Sequence, residues 1–145
     1  LTVVDATRVL LVKVLPFHTF LVIPNNHELG DIFGVKLSTR EEVVPYGRKL
    51  QEMGAQNVLI SMAGEGAVLI AADGQSMGAP APKGTLVNGV GAGDSMVAGF
   101  LTGWMEKKDY VHAFHMGIAA GSASAFSENL ATREEVLQVL QQVEQ

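Results

Sequence analysis

Apolar, β-branched runs alternate with amphipathic helical segments along this 145-residue chain. The alternation predicts an α/β domain built on a mainly parallel sheet flanked by helices. Two further observations support that class. Ser or Thr followed three residues later by Glu opens two of the helical segments, at Ser38–Glu41 and Thr132–Glu135, the spacing of a capping box. Glycine, proline and an Asp73-Gly74 pair stand between the segments, where the chain must turn.

Residues 1–4 read as a buried strand closing at Asp5, and residues 8–15 as a helix stopped by Pro16. Residues 20–23 are a second strand, cut off by Pro24. A short helix over residues 26–33 is closed by Gly34. The helix opened by Ser38 carries Val43, Val44, Leu50 and Met53 and ends at Gly54, with Pro45 a mild conflict in its second turn. Strands over residues 57–62 and 67–71 follow. The Asp73-Gly74 turn before Ser76 predicts an antiparallel hairpin. Pro80, Pro82 and Gly84 form a loop, and Leu86-Val87 is a short strand. A helix over residues 95–105 presents Met96, Val97, Phe100, Leu101 and Trp104 on one side. Asp109 caps a small-residue helix running to Ala125. Thr132 opens the last helix, with Val136, Leu137, Leu140 and Val143 on its apolar face.

Hydrophobic residues make up 48% of the chain and charged residues 17%, a globular balance. A net charge of −5 without a basic block argues against nucleic acid or an anionic membrane as a main partner. The absence of cysteine excludes disulfides, thiolate zinc sites and thiol nucleophiles, and it fits a cytoplasmic location. No apolar run reaches the roughly 20 residues that span a bilayer. The chain opens on Leu1 in mid-strand, so a longer N-terminal portion is expected to be missing.

Gly89, Gly91 and Gly93 lead into Asp94 and the helix after it. Glycine lets a ligand approach the backbone closely, and the first turn of a helix exposes unpaired N–H groups at the positive end of its dipole. The dinucleotide fingerprint fails, because its third glycine would fall on Asp94 or Met96. The Walker A loop fails for want of a Gly-Lys pair. Two readings remain open from the residues alone: a glycine turn with Asp94 as a helix cap, or an anion site with Asp94 facing an acceptor hydroxyl. A carboxylate at a helix N-terminus stays ionised at neutral pH, as a proton acceptor must.

The segment from Val87 to Phe100, VNGVGAGDSMVAGF, resembles the C-terminal signature of the ribokinase-like (PfkB) carbohydrate kinases, and most closely the branch of 1-phosphofructokinases and tagatose-6-phosphate kinases. The resemblance implies a ribokinase-like layered fold and ATP-dependent phosphoryl transfer to a phosphorylated ketohexose, with fructose 1-phosphate and tagatose 6-phosphate as candidates. It implies Asp94 as the catalytic base and Gly91, Ala92 and Gly93 as the anion hole. Pro24-Asn-Asn-His-Glu28 is similar to the family's N-x-x-E element, which implies that Asn25 and Glu28 organise Mg²⁺. From the residues alone, Asn25 is a helix cap and Glu28 a first-turn residue. Ser61, Gly64 and Gly66 match a family segment that borders the nucleotide, although they also read as a glycine hairpin turn. The helix over residues 117–127, with Ser122, and Asn129 beyond it are implied to lie by the adenine; small residues there also allow close helix packing.

The resemblance covers this chain but only the second half of a family member. It implies that residues 1–145 are a single nucleotide-binding and catalytic portion, with the sugar-binding and lid part absent. Little activity is expected of the chain alone, and the full protein is a candidate homodimer. Ile23 departs from the lysine usual before Pro-Asn in the phosphosugar branch, which lowers the expected nucleotide affinity. Gly89 stands where serine or threonine is common. A ribose or nucleoside kinase and a non-catalytic nucleotide-binding remnant are the competing readings. His18, His27, His112 and His115 read as surface or partly packed residues. Met96, Phe100, Trp104 and Met105 read as core, and Lys107-Lys108 as a solvated helix end.

Overall fold

The computed structural model describes residues 3–5, 19–62, 65–82, 92–125 and 132–144. The expected helix over residues 8–15, the Leu86-Val87 strand, His18, Gly64, Gly84, Gly89, Gly91 and Asn129 lie outside the described residues. The chain divides into two compact units, Leu1–Pro80 and Ala81–Gln145.

The first unit holds a five-stranded sheet in the order β1 (Val3–Asp5), β2 (Leu21–Ile23), β3 (Asn57–Ser61), β4 (Ala67–Ile70) and β5 (Ser76–Ala79). β1, β2 and β3 run parallel, with Val22 opposite Val58. β3, β4 and β5 run antiparallel, with Leu59 opposite Leu69 and Leu69 opposite Met77. Among the described residues the sheet is therefore mixed: β1, β2, β3 and β5 share one direction and β4 alone is reversed. The cause is local: tight turns join β3 to β4 and β4 to β5, and a tight turn can join only antiparallel strands. The expected hairpin is present, with Ala71 N–H donating to Gln75 O at 2.8 Å and Gly74 N–H to Ala71 O at 3.1 Å.

The connection from β2 to β3 carries α1 (Asn26–Phe33) and α2 (Arg40–Glu52). α1 closes at Gly34 in the left-handed region, as expected. The cap of α2 corrects the sequence reading by one residue. Thr39, not Ser38, is the N-cap, and its box partner is Glu42, not Glu41. The physical reason is that Glu42 Oε1 accepts from both Thr39 N–H (2.9 Å) and Ser38 N–H (3.2 Å). The helix ends at Glu52, with Met53 as its C-cap. Pro45 sits inside α2 on an exposed face, where water can reach the carbonyl that its missing N–H leaves free. Val22, Val58, Ile60, Val68 and Ile70 alternate along the strands and form one core with Leu29, Val43 and Leu50. Asn57 is fully buried and ties the strand ends: its Nδ2 donates to Phe20 O at 3.0 Å and its Oδ1 accepts from Ala72 N–H at 2.8 Å.

The second unit is a helical layer of α3 (Ala92–Lys107), α4 (Tyr110–Ala125) and α5 (Arg133–Glu144). α3 and α4 approach closely, because a Cβ on Gly99 would lie 2.5 Å from Met116 O and 2.7 Å from Ala120 Cβ. Lys108 takes φ 50° and donates its N–H to Trp104 O at 2.7 Å, which closes α3. Asp109 caps α4 as expected, accepting from Val111 N–H at 2.9 Å. Thr132 and Glu135 form the expected box at α5. Val136, Val139, Leu140 and Val143 then pack with Ala119 and Ala123 of α4. Phe100 is buried as expected, but Met105 is 64% exposed and does not belong to the core. Five residues on, it lies about 140° around the helix from Phe100.

Candidate functional site

In the first unit, the structure brings Asn25, Glu28 and Ser61 to the carboxyl ends of two neighbouring parallel strands. Asn25 follows Ile23 and Pro24 at the end of β2, and it forms an isolated parallel bridge with Ser61 at the end of β3. Ser61 N–H donates to Pro24 O at 3.1 Å and fixes the two ends side by side. Strand carboxyl ends are where open α/β sheets bind ligands.

Asn25 and Glu28 form a reciprocal capping box. Glu28 N–H donates to Asn25 Oδ1 at 2.7 Å, and Asn25 N–H donates to Glu28 Oε1 at 2.9 Å. The helix-cap reading of these residues is therefore realised. Both side chains are half-buried, and Glu28 Oε2 takes no part in the box. Neighbouring Asn26 is fixed through Nδ2 to Leu37 O at 2.8 Å, while His27 is exposed. Among the described residues, no three His, Asp or Glu side chains cluster to form a metal cage. A carboxylate beside an amide oxygen suits Mg²⁺, which keeps most of its waters and takes one or two carboxylates together with substrate phosphates.

Gly66 lies between β3 and β4 with φ +95°, and a Cβ there would lie 1.9 Å from Ala79 O. Its carbonyl accepts from Met62 N–H at 2.9 Å. The backbone thus requires glycine whatever the ligand. Ile23 is 6% exposed at the end of β2, so its side chain is part of the packing.

In the second unit, α3 starts at Ala92, three residues earlier than expected. Ala92, Gly93 and Asp94 therefore form its first turn, and Asp94 is the third helical residue rather than the cap. The N–H groups of that turn have no intrahelical acceptor, so they can meet an anion. Ser124, 5% exposed, donates its Oγ–H to Ser95 Oγ at 2.7 Å and ties the last turn of α4 to the first turn of α3. Half-buried Ser122 lies on that last turn. The sequence reading missed the Ser95–Ser124 pair. The available signal was a second serine in the last two turns of α4, residues 119–125, otherwise made of Ala and Gly.

A model of the pfkB family of carbohydrate kinases matches residues 5–137. The chain is 49% identical over 141 residues to the 1-phosphofructokinase of Bacillus subtilis, an alignment covering 97% of this chain and 46% of that protein. It is 31% identical over 143 residues to the D-tagatose-1-phosphate kinase of Klebsiella oxytoca, covering 98% and 46%. The crystal structure of a Staphylococcus aureus protein assigned as a phosphofructokinase superposes with a TM-score of 0.91 at 39% identity, over 97% of this chain and 45% of that one. Arabidopsis thaliana ribokinase superposes with a TM-score of 0.77 at 22% identity, over 95% and 46%, a likeness of fold alone. The chain spans about half the length of the curated relatives it matches.

Proposed function

Because the chain belongs to the pfkB family of carbohydrate kinases, we propose that it supplies the nucleotide-binding and phosphoryl-transfer portion of an ATP-dependent sugar-phosphate kinase. The observation that carries the reading is the start of α3. The intact Gly91-Ala-Gly-Asp94 run leads into the first helical turn, where the backbone amides have no intrahelical acceptor. Those of Gly91, Ala92 and Gly93 neutralise charge on the transferring phosphoryl group. Asp94 accepts the proton of the acceptor hydroxyl as the hydroxyl oxygen bonds to the γ-phosphorus of ATP and the bond from that phosphorus to the β–γ bridging oxygen breaks, releasing ADP. Phosphoryl transfer has a loose transition state, so positioning and charge neutralisation suffice and a carboxylate is an adequate base.

Asn25 and Glu28 would hold Mg²⁺ or its waters, which offsets phosphate charge when the ion is bound. The capping box fixes both backbones, and the Asn25–Ser61 bridge holds Ser61 alongside. Ser61, Gly64 and Gly66 border the nucleotide, and Ser122 and Asn129 lie towards its adenine. The acceptor is a phosphorylated ketohexose. The names of the relatives support a fructose or tagatose phosphate, and the tagatose kinases among them are named for the 1-phosphate. The sugar-binding and lid part belongs to a longer polypeptide, which acts in the cytoplasm and pairs as a homodimer. Among the described residues, no helix is long and apolar enough to cross a membrane.

The test is a coupled ATP-turnover assay on the chain alone and on the chain with its upstream portion, using fructose 1-phosphate, tagatose 1-phosphate, tagatose 6-phosphate and ribose. The proposal expects turnover of a ketohexose phosphate by the longer protein and little by the chain alone. A preference for ribose, or no turnover of any of the four by the longer protein, would overturn it.

A further inference from the structure

Within the helical unit, α3, α4 and α5 enclose a groove of about 360 Å³, a volume typical of small-molecule sites. Its middle is apolar, walled by Met116, Ala120 and Leu140. Along α4 its polar groups stand at the two ends, and Thr102 of α3 adds a hydroxyl between Ser95 and Glu106. His112 and Ser124 lie on one stripe of α4, about 18 Å apart at 1.5 Å per residue. Glu106 stands 3.8 Å from His112, Ser124 bonds Ser95, and Arg133 also lines the groove.

The His112 end is incomplete. Its Nε2 is buried and has no hydrogen-bond partner among the described residues. Glu106 Oε1 stands 3.8 Å away, too far for a hydrogen bond. A buried imidazole nitrogen left unpaired is unfavourable, and a ligand hydroxyl reaching it would satisfy it. The same hydroxyl could donate to the Glu106 carboxylate. At the other end Ser95 and Ser124 satisfy each other. Arg133 lines the groove as an exposed cation in the first turn of α5, beside Glu134 and Glu135.

We propose that this groove binds a small amphiphile with a hydroxyl at one end and a carboxylate at the other. The hydroxyl meets His112 and Glu106, the apolar body lies along Met116, Ala120 and Leu140, and the carboxylate meets Arg133. The site stands independently of the phosphoryl-transfer reading.

The test is titration of the chain with ω-hydroxydecanoate, decanoate and decanol, followed by calorimetry and by the His112 imidazole signals in NMR spectra. The proposal expects saturable single-site binding of ω-hydroxydecanoate, with a shift of the His112 signals. It expects each analogue lacking one polar end to bind about tenfold more weakly, the equivalent of one lost polar interaction. His112→Phe should abolish the preference for the hydroxylated acid over decanoate. Ala98→Phe and Leu137→Glu alter exposed positions on the groove wall. They should weaken binding while leaving the circular dichroism spectrum unchanged. Absence of saturable binding, equal affinity for all three probes, or unchanged binding by folded Ala98→Phe and Leu137→Glu proteins would overturn the proposal.

Discussion

Asn25 and Glu28 hold each other's backbone: each side chain accepts the other's N–H, at 2.7 Å and 2.9 Å. The box fixes α1 at the carboxyl end of β2, and the proposed metal role uses what the box leaves over. The two roles separate by substitution. Asn25→Ala removes the cap and should cost about 1 kcal/mol in urea denaturation. Glu28→Gln preserves the box, since Gln serves at that position. It should leave stability nearly unchanged while weakening Mg²⁺-dependent ATP binding, measured by calorimetry with and without the ion.

Glu42 gives a pH signature. The backbone N–H groups of Ser38 and Thr39, followed by the Thr39 hydroxyl, hold its carboxyl below the usual carboxylate range. A carboxyl whose folded pKa is depressed adds stability above its unfolded pKa, and that stability is lost as pH falls through the folded value. Glu42→Ala should therefore destabilise the protein at neutral pH and converge with the parent in acid. Denaturation midpoints across pH check this, and a constant difference down to the acid end would contradict it.

Asn57 satisfies two backbone groups while fully buried. Asn57→Leu fills similar space but strands Ala72 N–H and leaves Phe20 O with the backbone N–H of residue 57 in place of two donors. The expected loss is roughly 1–3 kcal/mol in chemical denaturation. Asn57→Asp keeps acceptance from Ala72 and loses donation to Phe20, so it should be destabilising as well.

Gly66→Ala should destabilise the hairpin by at least about 1 kcal/mol, since φ +95° and the Ala79 carbonyl both oppose a Cβ. Hydrogen exchange of the β3–β4 amides would localise the effect. Unaltered stability with altered ATP binding would show that Gly66 serves the ligand rather than the turn.

Local signals in the sequence carried much of this architecture. Asn25 to Gly34, Asp109 and Thr132–Glu135 mark their helix ends through short-range hydrogen bonds, which depend on residues only three or four apart. Thr39 was misread because Ser38–Glu41 and Thr39–Glu42 fit the same spacing, and only the geometry of Glu42 separates them. Met105 was misread because an apolar side chain does not reveal which face of a helix it occupies. The sheet's mixed character was half visible in the Asp73-Gly74 turn. The pairings Asn25–Ser61 and Ser95–Ser124 were not legible, because they join segments 29 or more residues apart. At Asn25 and Glu28 the residues pointed to a cap, which the reciprocal box realises, and the family resemblance to a metal, which is the proposal made above.

The central claim is that the start of α3 performs phosphoryl transfer with Asp94 as the base. Asp94→Asn, in the chain together with its upstream portion, tests it most directly by steady-state turnover and ATP binding on the same preparation. The account predicts a fall in kcat on the order of 10²–10⁴-fold with ATP affinity largely kept. A variant that turns over at the parent rate would contradict it.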